Sequence, residues 1–296
     1  MTNQPRAFEW TQTDRRAIDL IRVLAMDAVQ EAGSGHPGTA MSLALRAIPG
    51  LAVVRPADAN ETSVAWRTVL ERAHPAALCP TRQTLPVLDR SAGNEQGLAS
   101  ADGAARGGYV LADAPDLGRD AAKGGAPGRR GEPDVLLIAT GSEVQLALAA
   151  REILSREGIG ARVVSMTCLE WFAEQDASYR DGVLPPYVRA RVCVGAGISL
   201  GWHAIAGDAG EYVSLEHFGA SAAYQTLYQR FGITAGRVAE AVRSSIAKAR
   251  SNADRVVGEA GAGDGSGGEQ AVSPAGGSGV PARDAASPQG KTVSED

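Results

Sequence analysis

The chain has 296 residues, a formal net charge of −5 and a hydrophobic fraction of 44%, a length that suggests about two domains. Its mild acidity argues against nucleic acid and membrane surfaces as partners, since both are usually bound by basic clusters. No apolar run reaches the roughly 18 residues of a membrane span, and Met1 to Trp10 lack the apolar core of a secretion signal. Cys79, Cys168 and Cys193 are widely spaced with no Cys-x-x-Cys pair, so free thiols and a cytoplasmic location are expected. Four His with no paired spacing argue against a dedicated transition-metal site.

In chain order, Thr11 or Thr13 can cap a helix over 14–31, with Ile18, Ile21, Leu24, Ala28 and Val29 as its apolar stripe. Ser34-Gly-His-Pro-Gly38 follows. Pro37 suits a first helical position, which puts His36 near the positive dipole end, where a neutral imidazole is favoured. His36 could donate to an oxyanion or hydroxyl there, or simply close a loop. A strand over 51–55, a helix from Asp58 to about Ala73 and a strand over 76–79 make a small βαβ fragment. Asp58-Ala-Asn-Glu61 reads as an acidic capping box. Arg82 leaves the carboxyl end of the second strand, where ligands of open α/β sheets gather. It could bind an anion such as phosphate there, or be a solvated surface arginine.

Residues 91–131 are rich in Gly, Ala and Asp, interrupted by an apolar piece at 107–112 that fits an edge strand. From Pro133 to Arg250 the elements alternate. Strands are expected over 134–140, 161–166, 189–195 and 211–215. Helices are expected over 143–156, behind a Ser142-x-x-Gln145 capping box, in one or two turns within 199–206, from a Ser221 cap to Arg230, and over 235–250 behind Thr234. This order implies an open, mostly parallel α/β sheet. Residues 251–296 are dense in Gly, Ala, Ser and Pro, and such a composition cannot offset its ordering entropy, so a disordered tail is expected.

These residues carry a resemblance. Glu31-Ala-Gly-Ser-Gly-His-Pro-Gly-Thr-Ala-Met41 resembles the N-terminal motif of transketolases, and Ile48-Pro-Gly through Asp58-Ala-Asn-Glu-Thr62 resembles the late part of their pyrimidine-binding domain. Thr81-Arg-Gln-Thr-Leu-Pro86 resembles that domain's sugar-phosphate motif. Residues 107–111 and 133–249 resemble the transketolase C-terminal domain, with Ala139-Thr-Gly-Ser-Glu-Val144, Glu174-Gln-Asp176, Ala196-Gly197 and His217-Phe-Gly219 as landmarks. The resemblance implies a C-terminal α/β domain over 131–250. Before it come a remnant of the diphosphate-binding domain at 1–45, a remnant of the pyrimidine-binding domain at 46–90 and a linker with an edge strand at 91–130.

It also implies transfer of two-carbon ketol units between sugar phosphates in the pentose phosphate pathway, with thiamine diphosphate and Mg²⁺ as cofactors. The partner it implies is a second copy of the chain or a full-length transketolase. By the same resemblance His36 matches a histidine that contacts substrate hydroxyls and helps proton transfer, and Arg82 the arginine that holds the sugar phosphate. One departure is large. In transketolases a long stretch separates the Gly-His-Pro-Gly and Ile-Pro-Gly motifs, whereas Met41-Ser-Leu-Ala-Leu-Arg-Ala-Ile-Pro49 joins them here. The missing stretch would carry the metal-binding Gly-Asp-Gly and the glutamate that activates the cofactor. Gly263-Asp-Gly265 lies in the tail and lacks a following Asn, and Glu216-His217 reads as a structural pair. No cofactor-binding or metal residue is therefore assigned. The expectation is a protein unable to catalyse alone, the alternative being a non-catalytic interaction module or degenerate copy.

Overall fold

In the computed structural model, the described residues are 45–262, excluding 82, 92, 94–95, 118–131 and 218. The expected helix over 14–31, both candidate site residues His36 and Arg82, and Gly263-Asp-Gly265 lie outside them.

The sheet grows from its most apolar strand. Every residue of β4 (Val135–Ala139) is buried. It is flanked in parallel by β5 (Ala161–Ser165) and β6 (Arg191–Val194). β7 (Glu211–Val213) pairs in parallel with β6, and β3 (Tyr109–Ala112) pairs antiparallel with β5. The five-stranded order is β3-β5-β4-β6-β7. The apolar piece at 107–112 is thus the antiparallel edge, as its position before the alternating region suggests.

Alternate residues of β4 serve opposite faces, the pattern of a strand covered on both sides. Val135, Leu137 and Ala139 pack with Val144, Ala147 and Leu154 of α2 (Val144–Arg156) and with Val238 and Val242 of α7 (Ala235–Ala262). Leu136 and Ile138 pack with Phe172 of α3 (Leu169–Ala173), Val183 of α4 (Ala177–Val183) and Ala206 of α5 (His203–Ala206). An exposed helix, α6 (Tyr224–Phe231), precedes α7 and buries none of its residues. Gly107 has φ +84°, and a Cβ there would lie 2.3 Å from the Cys168 carbonyl oxygen, so this turn admits only glycine.

The N-terminal fragment is a parallel pair, β1 (Ala52–Val54) and β2 (Ala76–Leu78), joined by α1 (Ala59–Arg72). Such a ribbon buries too little to stand alone. It leans on the larger sheet: Ala52 and Val54 of β1 and Ala65 of α1 pack with Cys168 and Trp171. The compact unit that contains both parts ends at Arg255.

Three local expectations need correction. Ser142 does not cap α2; residues 141–143 form a 3₁₀ turn and the Ser142 hydroxyl donates to the Glu143 carboxylate. Ser221 does not cap α6, which starts at Tyr224 without a side-chain cap. The last helix runs past Arg250 to Ala262; Ala, Val, Arg and Glu remain frequent there, and these sustain a helix more readily than the Gly-rich sequence beyond. Thr234 does accept from the Arg237 amide at 3.3 Å, as a cap should.

Candidate functional site

In an open α/β sheet the ligand crevice lies at the carboxyl ends of strands whose connections leave toward opposite faces. Here that place is between β4, which leads to α2 on one face, and β6, which leads to α5 on the other. The residues after β4 are Thr140, Gly141, Ser142 and Glu143, all buried. Gly141 has φ +61°, and a Cβ on it would come within 3.2 Å of the Arg55 guanidinium. Glycine therefore lets Arg55, just beyond β1, close over the turn. The backbone seals this seam: Arg55 N donates to Thr167 O at 2.8 Å and Gly141 N to Arg55 O at 3.1 Å.

Glu143 is fully enclosed and its carboxylate is the hub of the crevice. Arg55 Nη2 donates to it at 3.3 Å, and the hydroxyls of Ser142 and Tyr228 donate to its other oxygen. Gln83 Nε2 donates to Tyr228 Oη at 3.3 Å, which ties the loop after β2 to the same hub. Burial, then the negative charge of Glu143, push the Tyr228 hydroxyl well above its ordinary pKa, so it stays a donor. Glu143 directly precedes α2 but makes no capping bond to it; its carboxylate takes side-chain donors instead.

A second enclosed carboxylate, Glu61, sits where α1 meets the sheet. It accepts from Tyr109 Oη at 2.8 Å, Ser165 Oγ at 2.7 Å, Thr167 Oγ1 at 3.3 Å and Ala57 N at 2.8 Å. Arg90 lies 3.6 Å away and pairs closely with Asp58. Burial depresses the Arg90 guanidinium, but its bonds to Asp58 and Tyr109 outweigh this and leave it above its ordinary value. Asp58 caps α1 by accepting from the Glu61 amide at 2.9 Å. The expected capping box is thus half present: the Asp58 end forms, while Glu61 turns inward to Ala57 and the sheet.

His36 and Arg82 lie outside the described residues. The neighbours of Arg82, Thr81 and Gln83, line a cleft of about 200 Å³ with Pro56, Asp58 and Thr62 at the start of α1. Among the described residues no group of three or more His, Cys, Asp or Glu is placed to hold a metal ion. Glu216 accepts from Ser199 N at 2.8 Å and Ser214 Oγ at 2.7 Å, and His217 stacks edge-on with Phe231. The residues that organise the crevice, Arg55, Glu143 and Tyr228, were not singled out from sequence. The available signal was an arginine directly after an apolar strand.

The fold and crevice define a mixed α/β protein in which a docked βαβ fragment closes the carboxyl ends of a mostly parallel sheet. Comparison with known proteins gives its family. The transketolase-like C-terminal domain model matches residues 107–234, and the transketolase pyrimidine-binding domain model matches residues 8–87. The second match spans the Gly-His-Pro-Gly motif as well as the βαβ fragment.

Transketolase of Mycobacterium tuberculosis (strain H37Rv) is 51% identical over 234 residues, covering 77% of this chain and 31% of that protein. Transketolase of Aquifex aeolicus is 42% identical over 228 residues, covering 76% and 30%. The structure of transketolase from Leishmania mexicana superposes with a TM-score of 0.58 at 36% identity, covering 72% of this chain and 28% of that one. The chain belongs to the transketolase family, and it spans about a third of the length of the curated relatives it matches.

Proposed function

We propose that this chain is a transketolase-derived α/β protein that does not transfer ketol units by itself. The observation that carries this reading is the crevice between β4 and β6, where Arg55, Ser142 and Tyr228 are spent on Glu143. The crevice's charged groups thus satisfy one another rather than a ligand. Family members use thiamine diphosphate, and the described residues do not fit that cofactor with its metal. The enclosed carboxylates of Asp58, Glu61 and Glu143 are all committed to protein donors. Ketol transfer needs the carbanion that the cofactor supplies, and no set of side chains replaces it.

The direct join from Met41 to Pro49 supports the same reading, since the residues that would hold the metal and activate the cofactor belong to the stretch it replaces. In this proposal His36 and Arg82 are inherited positions for substrate hydroxyls and sugar phosphate without a cofactor to serve. The division into 1–45, 46–90, 91–130, 131–250 and 251–296 belongs to the proposal, as do a cytoplasmic location and association with a second copy or a full-length transketolase. No helix among the described residues is long and apolar enough to cross a membrane. The test is a ketol-transfer assay on the purified chain with sugar-phosphate donor and acceptor, thiamine diphosphate and Mg²⁺. The reading expects turnover at background; turnover that scales with protein concentration and disappears when thiamine diphosphate is omitted overturns it.

A further inference from the structure

The helix α1 buries one face and leaves the other apolar. Glu61, Ala65 and Thr68 are its buried residues. On the opposite side Trp66 and Leu70, four residues apart and so one turn above the other, are 59% and 67% exposed. Val87, 63% exposed, lines one cleft with Ser63 and another with Ala59, which extends the strip to the first turn of the helix. Single exposed apolar residues are ordinary, but a contiguous strip with a charged rim marks a contact surface. Arg67 borders this strip, with Glu71 at 4.0 Å and Asp102 at 3.6 Å. One arginine between two carboxylates leaves that border acidic.

We propose that this strip is covered by residues 14–31 of the same chain, docked on α1 as an amphipathic helix. The sequence of that segment supplies the matching face. Ile18, Ile21, Leu24, Ala28 and Val29 recur at helical spacing, and such a stripe needs a surface to bury itself against. Ile18 to Val29 and Ala59 to Leu70 are each twelve residues, about 17 Å of helix, so the two apolar faces match in length. Arg15 and Arg22, seven residues apart, share one border of the stripe and complement the acidic border of the strip. Thirteen residues, 32–44, link the segment to Leu45, where the described chain begins. Extended, they reach up to about 45 Å, more than the roughly 30 Å diameter of a small domain. A tether of this length holds the segment near millimolar effective concentration, which favours it over a second copy at micromolar protein. The docking does not depend on whether the chain transfers ketol units.

The test is amide hydrogen exchange of the full chain, read at 14–31 and at β4 and β5, with the oligomeric state followed by light scattering. Wild type is expected to protect 14–31 to the same degree at every protein concentration. The double variant Trp66→Asp, Leu70→Asp is expected to speed exchange in 14–31 at least tenfold and to leave β4 and β5 unchanged. If that variant also loses protection at β4 and β5, Trp66→Ser alone decides the matter, with at least threefold faster exchange expected in 14–31. Exchange in wild-type 14–31 as fast as in an unfolded peptide overturns the proposal, as does unchanged protection in the variants. Protection that falls on dilution in step with the dissociation of a dimer assigns the strip to a second copy and overturns it too.

Discussion

The Tyr109 hydroxyl donates to the Glu61 carboxylate at 2.8 Å across a sequence separation of 48 residues, joining α1 to the edge strand of the larger sheet. Both side chains are buried. Glu61 also gathers Ser165, Thr167 and the Ala57 amide, so one carboxylate pins the βαβ fragment onto the domain that follows.

Removing that carboxylate leaves several enclosed donors without a partner and takes away one of the two carboxylates beside Arg90. Glu61→Ala is expected to cost about 3–5 kcal/mol, the range for breaking a buried charged network from one side. Tyr109→Phe removes a single hydroxyl and is expected to cost about 1–2 kcal/mol. Urea unfolding of both variants checks the order; equal costs would mean that Glu61 is not the hub.

Tyr228 is the polar anchor of α6, a helix with no buried residue. In Tyr228→Phe, amide hydrogen exchange is expected to rise across 224–231 while β4 and β5 stay protected. Uniform exchange across the sheet in this variant would place the effect in the core instead.

Gly107 and Gly158 both have positive φ, at +84° and +75°, yet only Gly107 is enclosed by neighbouring backbone. Gly158→Ala is expected to cost about 1 kcal/mol, the strain of a left-handed alanine. Gly107→Ala is expected to cost at least about 3 kcal/mol or prevent folding, because its Cβ would meet the Cys168 carbonyl and the Phe172 amide. Comparable melting temperatures for the two variants would contradict this packing.

Burial raises the Cys168 and Cys193 thiols to about 12. Thiols raised in the folded state contribute stability that is complete below the unfolded value and lost as pH rises through the folded value. Stability is therefore expected to fall between about pH 9 and pH 12, by up to about 1.4 kcal/mol per pH unit for each thiol. Below pH 9 iodoacetamide should modify Cys79, the half-buried thiol, and spare the other two. A Cys168→Ala, Cys193→Ala chain with the same alkaline slope as wild type would contradict the assignment.

Much of the larger sheet was legible because its strands are short apolar runs bounded by Gly and Pro. Val135–Ala139 is buried throughout, so its composition alone marks it. The caps were less legible. Ser142 and Ser221 have the right residue type, but Ser142 is drawn to Glu143 and Tyr228, partners that local spacing cannot reveal. Glu61 reads as a cap residue, and it is contacts far along the chain, with Tyr109, Ser165 and Thr167, that enclose it. The crevice residues stayed hidden for the same reason: Arg55 and Glu143 are 88 residues apart and meet only in the folded chain. The family was legible from its motifs, which are short, ordered along the chain and chemically specific.

The most direct measurement is calorimetric titration of the purified, folded chain with thiamine diphosphate and Mg²⁺. A closed crevice without the cofactor-binding stretch predicts no saturable heat. Saturable binding at micromolar concentration, dependent on Mg²⁺, would contradict the account and restore this chain to cofactor-dependent chemistry.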